Sequence, residues 1–183
     1  SGYDGIVTVD KHGNTGESIS LTHLHSKHEE EQFAEDESHH VLYHGSPTER
    51  KHLKAGSMMT TDKTWASGYA TRFDWNTNKE HFTGHTHEVH IQPKKPLKTQ
   101  GGLHKTEERL INLAKSLGHN GNGGLEAAAK HVHAKTGHDY MVAHDEHGKV
   151  NGAISLVDHT PVHALHDPRQ AVKDAHSKGE HVP

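Results

Sequence analysis

The sequence predicts an α+β fold, and three observations carry that expectation. Short runs of β-branched and aromatic residues, such as Val41-Leu42-Tyr43, end in glycine, serine and proline. Two longer segments, Lys105 to Leu117 and Leu125 to Thr136, have helical character. A glycine-punctuated pair of strands occurs twice along the chain. At 183 residues the chain is long enough for one domain with a real core. Only 30% of it is apolar, so a fair part must be polar loop or tail.

Taken in order, residues 1–28 form an N-terminal hairpin region, with strands Ile6-Val7-Thr8-Val9 and Ser18-Ile19-Ser20-Leu21. The turn between them, Asp10 to Gly16, has the glycines and asparagine that supply positive φ. Residues 29–39 are an acidic stretch without apolar periodicity, which predicts a solvated linker. The main domain is expected over 40–172. There Val41-Leu42-Tyr43 reads as a short buried strand stopped by Gly45-Ser46-Pro47. His44 is thereby held at the strand's carboxyl end, beside backbone without side-chain bulk.

Thr61-Asp62-Lys63 offers an N-cap for a short helix, Thr64 to Thr71, on which Trp65, Tyr69 and Arg72 share a face. That stripe is either core or one wall of a cleft. Residues 73–84 read as irregular loop. Thr86 to Ile91 alternates as a strand, with His85, His87, Val89 and Ile91 on one face and Thr86, Glu88 and His90 on the other. Pro93 and Pro96 end it. The helix from Lys105 buries Leu110, Leu113, Ala114 and Leu117, with Thr106 as its cap and Gly118 as its stop. After a loop from His119 to Gly124, the alanine-rich helix from Leu125 ends at Gly137. Ala164 to Gln170 predicts a closing strand and turn, and 173–183 a polar tail.

The second hairpin, residues 137–156, matches residues 2–21 at a constant offset of 135. Identities include Gly2/Gly137, Asp4/Asp139, Val7/Val142, Asp10/Asp145, Gly13/Gly148, Ile19/Ile154, Ser20/Ser155 and Leu21/Leu156. Either one structural unit is duplicated, or the first copy is the remnant of a preceding related domain.

Composition narrows the function classes. The formal charge is −4 with histidines neutral, and no basic patch is interleaved with aromatics, which argues against nucleic acid as a partner. Protonation of the 24 histidines near their reference pKa of about 6.5 would reverse that sign. Cysteine is absent, which removes disulfides and thiolate chemistry. No run approaches the ~18 apolar residues of a membrane span, so no membrane partner is expected. The start at Ser1-Gly2 predicts an excised part of a longer polypeptide.

The ordered set Leu42-Tyr43-His44-Gly45-Ser46, then Gly56-Ser57-Met58-Met59-Thr60-Thr61-Asp62, then Trp65-Ala66 with Tyr69-Ala70, then Glu88-Val89 with Ile91 and Pro93, resembles the ADP-ribosyltransferase-like fold. More narrowly it resembles the diphtheria-toxin-type branch with a His-Tyr-acid signature, which is rich in phage and bacterial effectors. The resemblance is clearest over residues 40–97. It implies two small antiparallel sheets forming a cleft flanked by helices. It also implies a mono-ADP-ribosyltransferase that cleaves NAD+ and hands ADP-ribose to a protein acceptor. The setting it implies is a toxin or virion protein, in the bacterial host cytoplasm or on a phage particle.

Carried over by motif position, His44, Gly45, Ser46 and Thr60 would bind the dinucleotide, and Tyr69 would stack on nicotinamide. Cleavage develops an oxocarbenium ion, so a carboxylate is needed beside the anomeric carbon. The resemblance implies an acid on a late strand. Ala153-Ile154-Ser155-Leu156 has none, which leaves Asp145 and Glu146 as the catalytic acids to test. Asp-Glu before His-Gly is equally ordinary turn chemistry. No G-x-G-x-x-G opens a helix, so a Rossmann dehydrogenase is not supported. Residues 142–156 also look like the early hairpin of GNAT-type acetyltransferases, but the Gly-rich pyrophosphate loop that should follow is missing. Two further alternatives stand: a catalytically degenerate structural module of a phage particle, and a His-rich metal-binding protein. For the last, His23, His25 and His28 and then His85, His87 and His90 have zinc- or nickel-like spacings. Histidines are spread along nearly the whole chain, however, and no metal ligand is assigned from sequence.

Overall fold

The computed structural model describes residues 5–9, 15–20, 39–74, 79–81 and 84–180. The chain divides into two compact units, Ser1–Ala34 and Glu35–Pro183. In the first, β1 (Gly5–Val9) and β2 (Thr15–Ser20) pair antiparallel. The acidic stretch and His23, His25 and His28 lie outside the described residues.

The second unit is α+β and is built on one mixed eight-stranded sheet. Its strands are β3 (His40–Ser46), β4 (His52–Leu53), β5 (Met58–Thr60), β8 (His85–Ile91), β9 (Leu97–Gln100), β10 (Tyr140–His144), β11 (Val150–Ser155) and β12 (Thr160–His166). The spatial order is β4-β12-β8-β3-β5-β11-β10-β9, and only β9 and β10 run parallel. The expected pair of separate sheets is not seen. The reason is one contact: Tyr43 of β3 pairs with Thr60 of β5 and joins two four-stranded halves through a single ladder position. Between β6 (Arg72–Asp74) and β7 (Lys79–His81) a small two-stranded sheet stands where irregular loop was expected.

The alternation read from β8 holds in the pairing. Leu42 faces Val89 and His40 faces Ile91, and the apolar members join Leu53, Met59, Tyr140, Val142 and Ala153 in one core cluster. On the opposite face Gly45 pairs with Thr86, and both lie under helix α1 (Lys63–Ala70). Asp62 caps α1 as expected, accepting from the Thr64 and Trp65 amides at 2.8 and 3.1 Å. Helix α2 (Gly102–Ser116) starts three residues before Lys105, the start expected from sequence. Its N-cap is Gly101 in the left-handed region, while Thr106 is buried inside the helix and donates to Gly102 O at 2.9 Å. Helix α3 (Gly124–Thr136) ends at Gly137, whose φ of 75° permits the left-handed cap.

The C-terminal segment differs from the expected polar tail. Asp167 caps a helix, α4 (Pro168–Ser177), which has proline in its first turn and buries Val172 and Ala175. Its buried residues are only Pro168, Val172 and Ala175, too sparse and too small a stripe to stand out from a polar sequence.

The repeated hairpin keeps one register in both copies. Gly5↔Ser20, Ile6↔Ile19, Val7↔Ser18 and Val9↔Thr15 correspond to Tyr140↔Ser155, Met141↔Ile154, Val142↔Ala153 and His144↔Val150, irregularity included. In the second copy the shared residues do structural work. Asp139 accepts the Lys94 and Lys95 amides at 2.6 and 3.1 Å, Val142 and Ile154 are core, and Ser155 bonds Thr160 across 3.0 Å.

Candidate functional site

Where the two half-sheets diverge past Tyr43 and Thr60, a cleft of about 1050 Å³ opens. The ladder stops there, and a side chain takes over: His44 Nδ1–H donates to Met58 O at 2.8 Å. A ring that donates from Nδ1 keeps Nε2 as its acceptor when neutral. Burial is the main influence on His44 and lowers its pKa from 6.5, helped by repulsion from His87 and Arg50, against the Met58 bond that raises it. His87, fully buried, donates from Nδ1 to His44 O at 3.1 Å and accepts the Arg50 amide on Nε2 at 3.0 Å. Both its nitrogens are committed to the fold.

The cleft gathers residues that are far apart in sequence. Tyr43, His44 and Gly45 come from β3, Thr60 from β5, and Trp65 and Tyr69 from α1. Leu103, His104 and Glu107 come from α2, Glu126 from α3 and Asn151 from β11. Tyr69 is 64% exposed and Trp65 43%, so the aromatic stripe of α1 is a wall and not core. Arg50 and Lys54 add cations. Asn151 Oδ1 is buried and has no hydrogen-bond donor among the described residues, an acceptor that costs about 1–3 kcal/mol if left alone.

Of the sequence candidates, His44, Gly45, Thr60 and Tyr69 line this cleft. Ser46 does not: it is buried and holds Arg50 Nε and the Thr48 amide on its Oγ, each at 3.3 Å. Asp145 and Glu146 also lie outside the lining. Asp145 Oδ1 accepts the His147 and Lys149 amides, each at 2.9 Å, and Gly148 takes a φ of 77° in the same turn. Those bonds, the one to Lys149 foremost, lower the Asp145 pKa from 3.8. Glu146 is exposed beside His147. The structure therefore uses Asp145 as a turn residue.

Three lining residues are acidic: Asp62, Glu107 and Glu126. Asp62 caps α1, and Glu126 pairs with Lys130 at 2.7 Å and Lys54 at 3.9 Å. Glu107 is the least committed, with only an exposed His104 at 3.9 Å among the described residues. Neither Glu107 nor the cations Arg50 and Lys54 were singled out by sequence reading. The basic run Arg50 to Lys54, shortly after the Gly-Ser stop, was the available signal for the cations. No protein-family model, curated protein or solved structure matches the chain.

Proposed function

We propose that the protein is a mono-ADP-ribosyltransferase of the ADP-ribosyltransferase-like fold, which binds NAD+ in the seam cleft and passes ADP-ribose to a protein acceptor. One observation carries the reading: His44, Gly45, Thr60 and Tyr69, the residues of the family-like motifs, line a single cleft. At about 1050 Å³ it is large enough for a dinucleotide. In this reading Tyr69 stacks on nicotinamide, and His44 Nε2 accepts a ribose hydroxyl. Arg50 and Lys54 face the pyrophosphate.

The bond between ribose C1′ and the nicotinamide nitrogen breaks, and its electron pair leaves with neutral nicotinamide. In this reading Glu107, which lines the cleft where Asp145 does not, takes the part of the carboxylate that stabilises the oxocarbenium ion. The acceptor nucleophile then bonds to C1′ and gives up its proton. Gly45 serves the site indirectly, by letting α1 and so Tyr69 come close. The setting that fits is an effector or particle-associated part of a larger phage or bacterial protein, acting in the host cytoplasm.

Nicotinamide release from NAD+ is the test. Wild type is expected to release it, Glu107→Gln about 10²-fold more slowly, and Asp145→Ala near the wild-type rate. A collapse in Asp145→Ala with Glu107→Gln unchanged would return the acid to the hairpin turn. A second reading, a degenerate module that holds the dinucleotide without cleaving it, is favoured by the prior commitment of Asp62 and Glu126. Binding without release in wild type would select it.

A further inference from the structure

The spacing His85, His87, His90 makes no metal site, because β8 alternates. His87 is spent on His44 and Arg50, and His90 points to the other face with Glu88. That other face holds a different constellation. The β12–β8 register runs Val162↔Val89 and then Ala164↔Glu88, so β12 carries one extra residue, His163. His163 follows Val162, which pairs with Val89, so alternation puts it on the face of Glu88, and the bulge brings Ala164 opposite Glu88 beside it. There its ring stacks on His90 at 3.9 Å and 17°.

We propose that Glu88, His90 and His163 bind one divalent transition-metal ion of the zinc or nickel class. Their ligand atoms all lie within 4.8 Å of one another. Tetrahedral zinc at about 2.0–2.2 Å from each ligand needs them roughly 3.3–3.6 Å apart, a rotamer adjustment and not a refolding. His90 Nε2 already meets Glu88 Oε1 at 2.8 Å. The metal replaces the proton they share, as it does at sites whose ligands bind deprotonated. His166 Nε2 donates to the other carboxylate oxygen, Oε2, at 2.7 Å and so fixes the direction of the ligand atom. Two imidazoles and one carboxylate on an accessible sheet face suit zinc or nickel over magnesium or calcium, and leave a coordination position for water. None of these four residues lines the seam cleft, so the site stands apart from the transferase reading.

The test is titration of the full chain with Co2+ and Zn2+, read by the cobalt visible spectrum and by competition with a chromogenic chelator. The expected result is a single tight equivalent with tetrahedral cobalt bands. His163→Ala, at an exposed position that leaves the core untouched, should weaken it at least about tenfold, and His166→Ala, which only positions Glu88, by about tenfold. Joint replacement of His23, His25 and His28 by alanine should leave that equivalent in place. The proposal is overturned if wild type holds no tight equivalent, if His163→Ala retains it at full strength, or if the His23/His25/His28 variant loses it.

Discussion

Gly45→Ala is expected to abolish the folded state or bring it to the edge of unfolding. A Cβ built on Gly45 would sit 1.8 Å from Ala66 O and 2.9 Å from Ala70 N, both of them backbone atoms of α1. No rotamer relieves that contact, so the helix itself must move off β3. Moving it breaks the buried Ser67–Thr86 hydroxyl pair at 2.9 Å and uncovers Ala66 and Ala70. Ordinary overpacking costs about 1–3 kcal/mol, and a clash against backbone belongs at or above the top of that range. Against a typical total of about 5–15 kcal/mol this is a large share. The urea midpoint by circular dichroism checks it. A variant as stable as wild type would mean that α1 does not rest on Gly45.

Mild acid is expected to destabilise the protein well above the range where carboxylates titrate. His44, His87 and His138 all have pKa values lowered from 6.5, in each case mainly by burial. The folded state thus binds fewer protons than the unfolded chain at pH values between the lowered and the ordinary pKa. Stability from these groups is complete above about pH 6.5 and is lost as pH falls toward their folded values. The depressed carboxylates start from 3.8, as Asp145 does, or from 4.5, as Glu88 does, and act in a lower window. The urea midpoint is expected to fall between about pH 7.5 and about pH 5.5. His138→Asn preserves a donor to Lys95 O, which His138 Nδ1 bonds at 2.9 Å, and should flatten part of that slope. A midpoint constant over the interval would contradict the buried, neutral assignment of these histidines.

Local features of the domain were legible because local chemistry fixes them. The Asp62 cap, the Gly137 stop and the two faces of β8 follow from residue type and period alone. The way the half-sheets join was not legible, since it depends on one long-range pair, Tyr43 with Thr60. Gly45 was noticed as bare backbone beside His44, and the structure adds a packing role: its missing side chain makes room for Ala66 O of α1. Glu107 stayed hidden because its place depends on where α2 packs, and nothing in its helical neighbourhood marks it out. Asp145 shows the converse, since a turn-capping aspartate and a catalytic one have the same letter until their hydrogen bonds are seen.

Calorimetric titration of NAD+ into the purified chain tests most directly whether the seam cleft is a dinucleotide site. Saturable binding is predicted, about tenfold weaker in Tyr69→Ala, where an exposed stacking surface is removed without disturbing the core. Absence of binding in wild type, or equal affinity in Tyr69→Ala, would contradict the assignment.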